Sequence, residues 1–212
     1  MKLHVTALSS LPCAREDLLP RILALPFGQT ERERLCSIRS NAYLCQSLGA
    51  REALWHLTKN APLTLSRSEN DKPILEGKNA PFFSLTHDTH LSAAVIASLD
   101  EGCVGIDLET IRPMPRRDAI AKRFFSVEDI TRMACASDPN REFFILWTAK
   151  EAAVKCTGKG LSAISECAEE QLFLYHFTVR HPNGEAILTV ASTQPTTIFL
   201  SHDEGVEIYP IA

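Results

Sequence analysis

The order of helical and strand-like patterns constrains this chain more than any other feature of its sequence. Residues 2–8 alternate in the manner of a strand. The segment from Gln29 to Thr58 repeats apolar residues at intervals of three and four, which predicts an amphipathic helix. Residues 82–86, 91–99 and 102–109 again predict strands. The first part of the chain is therefore expected to form a strand, a long helix and three further strands.

Turn and cap residues refine this expectation. Asp100-Glu101-Gly102 is typical of a turn, so residues 91–99 and 102–109 should form an antiparallel hairpin. Thr30 with Glu33 predicts a capping box at the start of the long helix. The polar segment from Ser66 to Lys78 predicts a loop.

The second part of the chain begins after Arg112 to Arg117, a segment with two prolines that marks a boundary. Three helices are expected to follow it, at 118–124, 126–136 and 140–157. Ser126 with Asp129, and Asn140, are plausible helix starts. From about residue 172 the chain alternates and turns repeatedly, which predicts strands of a second sheet.

These patterns predict an α+β fold in two halves, 1–110 and 111–212. Each half is small for an independent core, so the halves should lie against each other. A cleft between them is the expected place for a ligand.

Composition narrows the class of protein. The 212 residues are 45% hydrophobic and carry a formal net charge of -4, which argues against a general nucleic-acid binder. The seven cysteines are an odd number without zinc-site spacing, so free thiols in a reducing compartment are expected. No signal peptide and no apolar run of about 18 residues is recognisable. A soluble, cytoplasmic protein without a membrane partner is the expectation.

Gly105-Ile106-Asp107-Leu108-Glu109 is the first candidate site. In a strand, Asp107 and Glu109 share one face and Ile106 and Leu108 the other. Two adjacent carboxylates repel unless a cation lies between them, and Mg²⁺ prefers such oxygen ligands. The alternative is an amphipathic strand with its acidic side in water.

The second candidate is the segment from Trp147 to Lys155. On a helix, Trp147, Glu151 and Lys155 fall four residues apart along one stripe. The alternative is an ordinary glutamate–lysine pair on a helix surface, worth only about 0.2–0.5 kcal/mol.

Several basic side chains could bind phosphate. His87 ends an apolar strand, and Lys72 lies in a loop before Pro73. Arg34 and Arg39 lie on or near the long helix, and the guanidinium group suits phosphate oxygens. The alternatives are a structural histidine, a solvated lysine, and arginines paired with neighbouring glutamates.

Together these segments resemble the 4'-phosphopantetheinyl transferase superfamily. Its two signatures are G-[IV]-D-x-E and, further along the chain, W-x-x-K-E-[AS]-x-x-K. They match Gly105-Ile106-Asp107-Leu108-Glu109 and Trp147-Thr148-Ala149-Lys150-Glu151-Ala152-Ala153-Val154-Lys155. Further matches are Arg123-Phe124-Phe125-Ser126, Gly158-Lys159-Gly160-Leu161, Leu85-Thr86-His87-Asp88 and Lys72-Pro73. Asp88 departs from the family's serine and adds a negative charge near the expected phosphate site.

The length resembles the surfactin-synthetase-activating type. This resemblance implies a monomer of two similar α/β halves with pseudo-twofold symmetry and a ligand cleft between them. It implies a Mg²⁺-dependent enzyme that moves the phosphopantetheine arm of coenzyme A onto a serine of an apo acyl, polyketide or peptidyl carrier protein.

The resemblance also implies roles for individual residues. Asp107, Glu109 and Glu151 would bind the metal, and Lys155 would offset the charge of the transition state. Glu151, directly or through a metal-bound water, is the candidate base. Five basic residues are expected to hold coenzyme A beside Lys155: Arg34, Arg39, Lys72, His87 and Lys150.

A carrier protein would need a landing site. Phe124, Phe125 and Met133, with Lys122 and Arg123 nearby, could provide an apolar and basic one. The alternative for these apolar residues is the packing of a short helix.

Two other functions stay open from the sequence. A catalytically degenerate family member would bind coenzyme A or a carrier protein without turnover. A P-loop phosphotransferase is disfavoured, because Gly160 follows Gly158-Lys159 where that motif requires Ser or Thr.

Overall fold

A computed structural model describes residues 1–8, 14–59, 64–67, 73–158 and 171–211. The helices are α1 (Arg15–Ala24), α2 (Gln29–Ser37), α3 (Asn41–Leu57), α4 (Arg117–Phe124), α5 (Val127–Cys135) and α6 (Pro139–Thr157). The strands are β1 (Lys2–Ala7), β2 (Leu65–Arg67), β3 (Pro73–Leu75), β4 (Phe82–His87), β5 (Leu91–Ala97), β6 (Val104–Thr110), β7 (Phe173–His181), β8 (Gly184–Ser192), β9 (Phe199–His202) and β10 (Glu207–Pro210). The mixture confirms the α+β class.

Two four-stranded sheets repeat one topology. In the first sheet, β5 lies antiparallel between β4 and β1. In the second sheet, β8 lies in the same way between β7 and β6. A long helix, α3 in the first case and α6 in the second, follows the first strand of each set and packs on its sheet. This repetition is what two similar halves would produce.

The two sheets enclose a common apolar core. Alternating side chains of both sheets meet there, as the period of two along a strand requires. Its members include Leu3, Val5, Ala93 and Val95 from the first sheet and Ile106, Leu108, Leu188 and Val190 from the second. Helices α1 to α3 cover the outer face of the first sheet through a separate cluster built on Phe27, Leu48 and Phe83.

The last two strands join different sheets. β9 pairs in parallel with β1 of the first sheet, whereas β10 pairs with β7 of the second. The expectation that all strands after residue 172 belong to the second sheet is therefore wrong for β9. The division at residue 110 stays a prediction, and β6, which ends there, pairs with β8.

The predicted hairpin between residues 91–99 and 102–109 is also wrong. β5 and β6 lie in different sheets, because β5 is already flanked by β1 and β4. The short turn carries the chain from one sheet to the other, and Ser98 and Glu101 cap it reciprocally. The segment predicted as a loop from Ser66 to Lys78 includes the end of β2 and all of β3, which pair with each other.

The helix expected from Gln29 to Thr58 is two helices. Ser40 begins α3 by accepting a hydrogen bond from the backbone of Tyr43 at 3.3 Å, and Arg15 donates to the carbonyl oxygens of Cys36 and Ile38 at the end of α2. The predicted Thr30 cap is wrong, since Gly28 precedes α2 without a side-chain cap.

The three helices of the second half are confirmed to within a few residues. Ser126 and Asp129 form the expected capping box of α5. Asp138 rather than Asn140 caps α6, because its carboxylate accepts from the backbones of Asn140 and Arg141, both at 3.0 Å. None of the helices in the described part of the chain has both the length and the apolar character needed to cross a bilayer.

A buried carboxylate holds α2 to α3. Glu31 is 4% exposed and accepts from Arg51 at 2.7 Å, and it also pairs with Arg34 at 3.1 Å and Arg67 at 3.4 Å. Burial alone would raise the pKa of Glu31, but Arg51 and Arg34 hold it below its usual value. Burial lowers the pKa of Arg51 to about 10, and Glu31 opposes that shift.

Replacing Glu31 with Gln should therefore destabilise the fold. Arg51 would remain buried without a countercharge, which costs about 3 kcal/mol in the free energy of unfolding. Urea unfolding of Glu31→Gln measures this, with Glu33→Gln as the control because Glu33 is exposed on the same helix.

The pH dependence gives a second readout. Since the pKa of Glu31 is lowered on folding from 4.5, the wild-type protein should lose stability as the pH falls below that value. Glu31→Gln should lack this part of the acid sensitivity. Equal stability of the two variants at pH 7 would contradict the assignment.

Candidate active site

Helix α6 lies unusually close to strand β6. A Cβ atom at Gly105 would come within 2.0 Å of the Ala152 carbonyl oxygen and 2.4 Å of the Cys156 backbone nitrogen. Only glycine permits that approach. Because side chains alternate along a strand, Gly105, Asp107 and Glu109 share the face that α6 covers.

A hydroxyl pair fixes α6 one turn before Glu151. Thr148 on α6 and Thr189 on β8 are both fully buried, and their hydroxyl oxygens lie 2.7 Å apart. Thr189 pairs in register with Asp107. The contact therefore sets where along β6 the acidic and basic residues of α6 fall.

Asp107 lies at the centre of the site and is 4% exposed. Its Oδ1 accepts from Lys155 Nζ at 2.6 Å and from the Thr86 hydroxyl at 3.1 Å. Its buried Oδ2 has no hydrogen-bond partner within the described part of the chain. A buried carboxylate oxygen without a donor is costly, which marks a position where a cation would be favourable.

Glu151 faces the same cluster from α6, with its Oε2 4.0 Å from Lys155 Nζ. Burial raises the pKa of Glu151 to about 7, and the negative charges of Asp107 and Glu109 add to the shift while Lys155 opposes it. Like charges raise a carboxyl pKa only when they are near, so the three acidic side chains occupy one electrostatic environment.

Glu109 completes the acidic set at the edge of the site. Its Oε2 accepts from the guanidinium of Arg112 at 2.7 Å. Burial raises the pKa of Glu109, and Asp107 and Asp88 raise it further against the effect of Arg112. Arg112 also donates to the Thr110 carbonyl oxygen at 2.9 Å and lies over the Phe144 ring.

The acidic set suits a hard divalent cation. Among the residues that the structure describes, no three acidic, histidine or cysteine side chains are positioned to hold a metal ion as they lie. The chemistry nonetheless fits Mg²⁺, because three carboxylates share this environment and Asp107 Oδ2 lacks a donor. Asp107, Glu109 and Glu151 as metal ligands stay a prediction.

His87 lies beside the acidic cluster at the end of β4. Burial lowers the pKa of His87 to about 4, with the positive charges of Lys155 and Arg51 contributing. The imidazole is therefore neutral at pH 7 and can still donate one hydrogen bond. The Tyr43 ring lies nearly perpendicular to the imidazole, with centroids 5.3 Å apart.

The other basic residues expected to hold coenzyme A lie in different places. Lys150 is buried against α5, where it pairs with Asp129 at 3.2 Å and lies over the Phe125 ring. Arg34 pairs with Glu31, and Arg39 is exposed after the end of α2. Lys72 falls outside the described residues. Their roles toward coenzyme A stay predictions.

The residues proposed as a carrier landing site are mostly packed. Phe125 and Met133 are buried in a cluster with Phe143 and Phe144, which favours the packing alternative for them. Phe124 is half-buried with its edge toward Trp147, while Lys122 and Arg123 are exposed. A groove of about 410 Å³ runs between α4 and α5 beside Lys122 and Met133.

The chain is similar in sequence to proteins of a known family. The sequence pattern of the 4'-phosphopantetheinyl transferase superfamily matches residues 103–206, which include Asp107, Glu109, Glu151 and Lys155. The 4'-phosphopantetheinyl transferase AcpT of Escherichia coli O157:H7 is 31% identical over 158 residues, covering 74% of this chain and 78% of AcpT. The chain belongs to the 4'-phosphopantetheinyl transferase superfamily.

Two Bacillus relatives within the superfamily match over shorter segments. The 4'-phosphopantetheinyl transferase psf-1 of Bacillus pumilus is 38% identical over 95 residues, covering 44% of this chain and 39% of psf-1. The 4'-phosphopantetheinyl transferase Sfp of Bacillus subtilis strain 168 is 33% identical over 127 residues, covering 58% of this chain and 50% of Sfp. The matched part of the chain thus spans half or less of the length of these two relatives.

Three residues of the site were missed or misjudged from the sequence. The sequence places Arg112 in a boundary segment, whereas the structure pairs it with Glu109, a partner that the spacing of three residues could have suggested. The importance of Gly105 could have been inferred, because glycine inside a strand often marks a close backbone approach. The sequence indicates only the negative charge of Asp88 near the expected phosphate site, whereas in the structure its carboxylate also accepts four hydrogen bonds, two of them from Thr110.

The Gly105 contact gives a direct test. Gly105→Ala should force α6 away from β6, which costs about 1–3 kcal/mol of stability and separates Lys155 from Asp107. Urea unfolding measures the first effect and a transfer assay the second. Gly28→Ala is the control, since a Cβ there would meet only the Thr64 methyl carbon at an ordinary 3.8 Å. Wild-type stability of Gly105→Ala would refute the close approach.

Proposed function

We propose that this protein is a Mg²⁺-dependent 4'-phosphopantetheinyl transferase. It would transfer the phosphopantetheine arm of coenzyme A to a serine of an apo acyl or peptidyl carrier protein and release adenosine 3',5'-bisphosphate. The observation that carries the proposal is the contact between β6 and α6, which brings Lys155 against Asp107 beside Glu151. The names of the relatives support the same reaction.

The acidic residues would hold the metal. Asp107, Glu109 and Glu151 supply carboxylate oxygens, the ligands that Mg²⁺ prefers. When bound, Mg²⁺ supplies electrostatic stabilisation of the charge that grows on the diphosphate oxygens.

Lys155 provides a second positive charge at the reacting phosphate. Its ammonium group lies 2.6 Å from Asp107 Oδ1 and 3.4 Å from the Thr86 hydroxyl, so its position is fixed from two elements. A cation fixed in a partly buried site stabilises developing negative charge without having to reorganise. Lys155 would do so for the oxygens of the transferred phosphoryl group.

The transfer itself replaces one phosphorus–oxygen bond by another. The carrier serine oxygen attacks the phosphorus that bears pantetheine, and the bond to adenosine 3',5'-bisphosphate breaks. Glu151 is the candidate acceptor of the serine proton, at a carboxylate oxygen. Without a bound cation, burial raises the pKa of Glu151 to about 7, and a cation held by the same carboxylate would lower it.

Basic residues, all of them from the first half except Lys150, would hold coenzyme A. His87 lies beside the positive charges of Lys155 and Arg51. Arg34 and Arg67 surround Glu31 together with Arg51, so this cluster has an excess of positive charge. Arg39, Lys72 and Lys150 complete the proposed set for the phosphates of coenzyme A.

We also propose a compartment, an oligomeric state and a range of partners for the enzyme. We expect a cytoplasmic monomer without nucleic-acid or membrane partners. The net charge of -4 and pI of about 6.0 support the absence of a general nucleic-acid partner.

Incubation with coenzyme A, Mg²⁺ and a panel of apo carrier proteins tests the reaction. Mass spectrometry should show a carrier gaining the phosphopantetheine arm, and chelation by EDTA should abolish the gain until Mg²⁺ is restored. Asp107→Ala and Glu151→Ala should each lower the rate by about 100-fold or more, because each removes charge stabilisation in the transition state.

Glu204→Ala is the matched control, since Glu204 is exposed in the turn after β9, and it should transfer at the wild-type rate. Circular dichroism verifies that each variant is folded. Unchanged activity in Asp107→Ala or Glu151→Ala would contradict the site. Wild-type protein that binds coenzyme A but modifies no carrier would favour the degenerate binding module instead.

A further inference from the structure

The carboxylate of Asp88 links the two sheets beside the site. Its Oδ1 accepts from the backbones of His90 at 2.7 Å and Leu91 at 2.9 Å, which closes the turn between β4 and β5. Its Oδ2 accepts from the backbone of Thr110 at 2.8 Å and from the Thr110 hydroxyl. One carboxylate therefore joins the end of β4 to the end of β6.

The residues joined by this link flank the active site directly. His87 precedes Asp88 along β4, and Glu109 precedes Thr110 along β6. Among the described residues, two further side-chain hydrogen bonds join β4 to β6 along this line. Ser84 accepts from the Ile106 backbone at 3.2 Å, and Thr86 donates to Asp107 at 3.1 Å.

A carboxylate suits this position better than a neutral side chain. Four donors converge on its two oxygens, and hydrogen bonds to a charged acceptor are about twice as strong as those between neutral groups. Three of these donors are backbone N–H groups. Alanine would leave all three without this acceptor, and a serine hydroxyl, which accepts at most two hydrogen bonds, would leave at least one.

We propose that Asp88 is a positioning residue, which fixes Glu109 on β6 relative to His87 on β4 through Thr110. The proposal rests on the proposed function for the roles of Glu109 and His87. The hydrogen bonds to its carboxylate come from His90, Leu91 and Thr110, so Asp88 would act through the backbone of β6. Supporting residues of this kind typically change metal affinity or activity by about 10–100-fold when they are removed.

Binding of Mn²⁺ alone tests this placement without requiring turnover. Electron paramagnetic resonance counts free Mn²⁺ in a titration of the purified protein, with neither coenzyme A nor a carrier present. Asp88→Ala should raise the dissociation constant of Mn²⁺ by about tenfold. Asp88→Asn should give a smaller rise, because its amide keeps one acceptor oxygen but turns an NH₂ group toward the other donors.

Thr110→Val isolates one bond while retaining the shape of the side chain, and it tests the link even if Asp88→Ala fails to fold. It should raise the dissociation constant of Mn²⁺ by about twofold to threefold. The double variant Asp88→Ala/Thr110→Val should bind Mn²⁺ as Asp88→Ala does, because the bond from the Thr110 hydroxyl is already lost when Asp88 is replaced. Glu204→Ala serves again as the control for loss of one negative charge.

The outcomes separate this inference from the proposed function. Weaker Mn²⁺ binding in folded Asp88→Ala and Thr110→Val supports the positioning role, even if wild-type protein were to modify no carrier. Wild-type Mn²⁺ affinity in folded Asp88→Ala, or in Thr110→Val should Asp88→Ala not fold, would overturn it. Loss of thermal stability with unchanged Mn²⁺ affinity would also overturn it and leave Asp88 a purely structural residue.

Discussion

The close approach of helix α6 to strand β6 is the interaction on which the site depends. Gly105 removes the side chain that would otherwise separate the two backbones, since its Cβ would lie 2.0 Å from the Ala152 carbonyl oxygen. The same approach brings Lys155 within 2.6 Å of Asp107. A longer separation between the elements would leave the acidic face of β6 without its basic partner.

Burial strengthens the electrostatic interactions among the charged side chains that β6 and α6 bring together. Asp107, Glu109 and Glu151 lie where water does not fully screen them, so burial and mutual repulsion raise the pKa of Glu151 to about 7. Lys155 neutralises part of that negative charge through its ion pair with Asp107. Asp107 Oδ2 has no hydrogen-bond donor in the described part of the chain. A divalent cation with oxygen ligands would satisfy both features at once.

Local periodicity predicted much of this arrangement from the sequence. The alternation along a strand placed Asp107 and Glu109 on one face, and the helical repeat placed Glu151 and Lys155 on one stripe. The α+β class and the three helices of the second half followed from the same patterns. The family signatures identified the superfamily, because they run through these residues in the matched order.

The periodicity of the sequence could not predict which distant strands pair with each other. β5 and β6 are neighbours in the chain, yet they pair with different sheets, because that choice depends on strands far away in sequence. The break between α2 and α3 was missed because the apolar spacing continues through it. The role of Asp88 was equally unpredictable, since the sequence does not show that Thr110 lies beside it. The pairing of Arg34 with a neighbouring glutamate was one of the alternatives, and the structure identifies Glu31 as that partner.

The most direct test of the account detects the phosphorus of coenzyme A next to the bound metal. Electron spin echo envelope modulation of the protein with Mn²⁺ and coenzyme A reports a ³¹P coupling when the diphosphate contacts the ion. The account predicts this coupling for the wild-type protein and its loss in Asp107→Asn and Glu151→Gln. A bound Mn²⁺ without the ³¹P coupling, or a coupling unchanged in both variants, would contradict the claim that β6 and α6 hold one cation on the diphosphate.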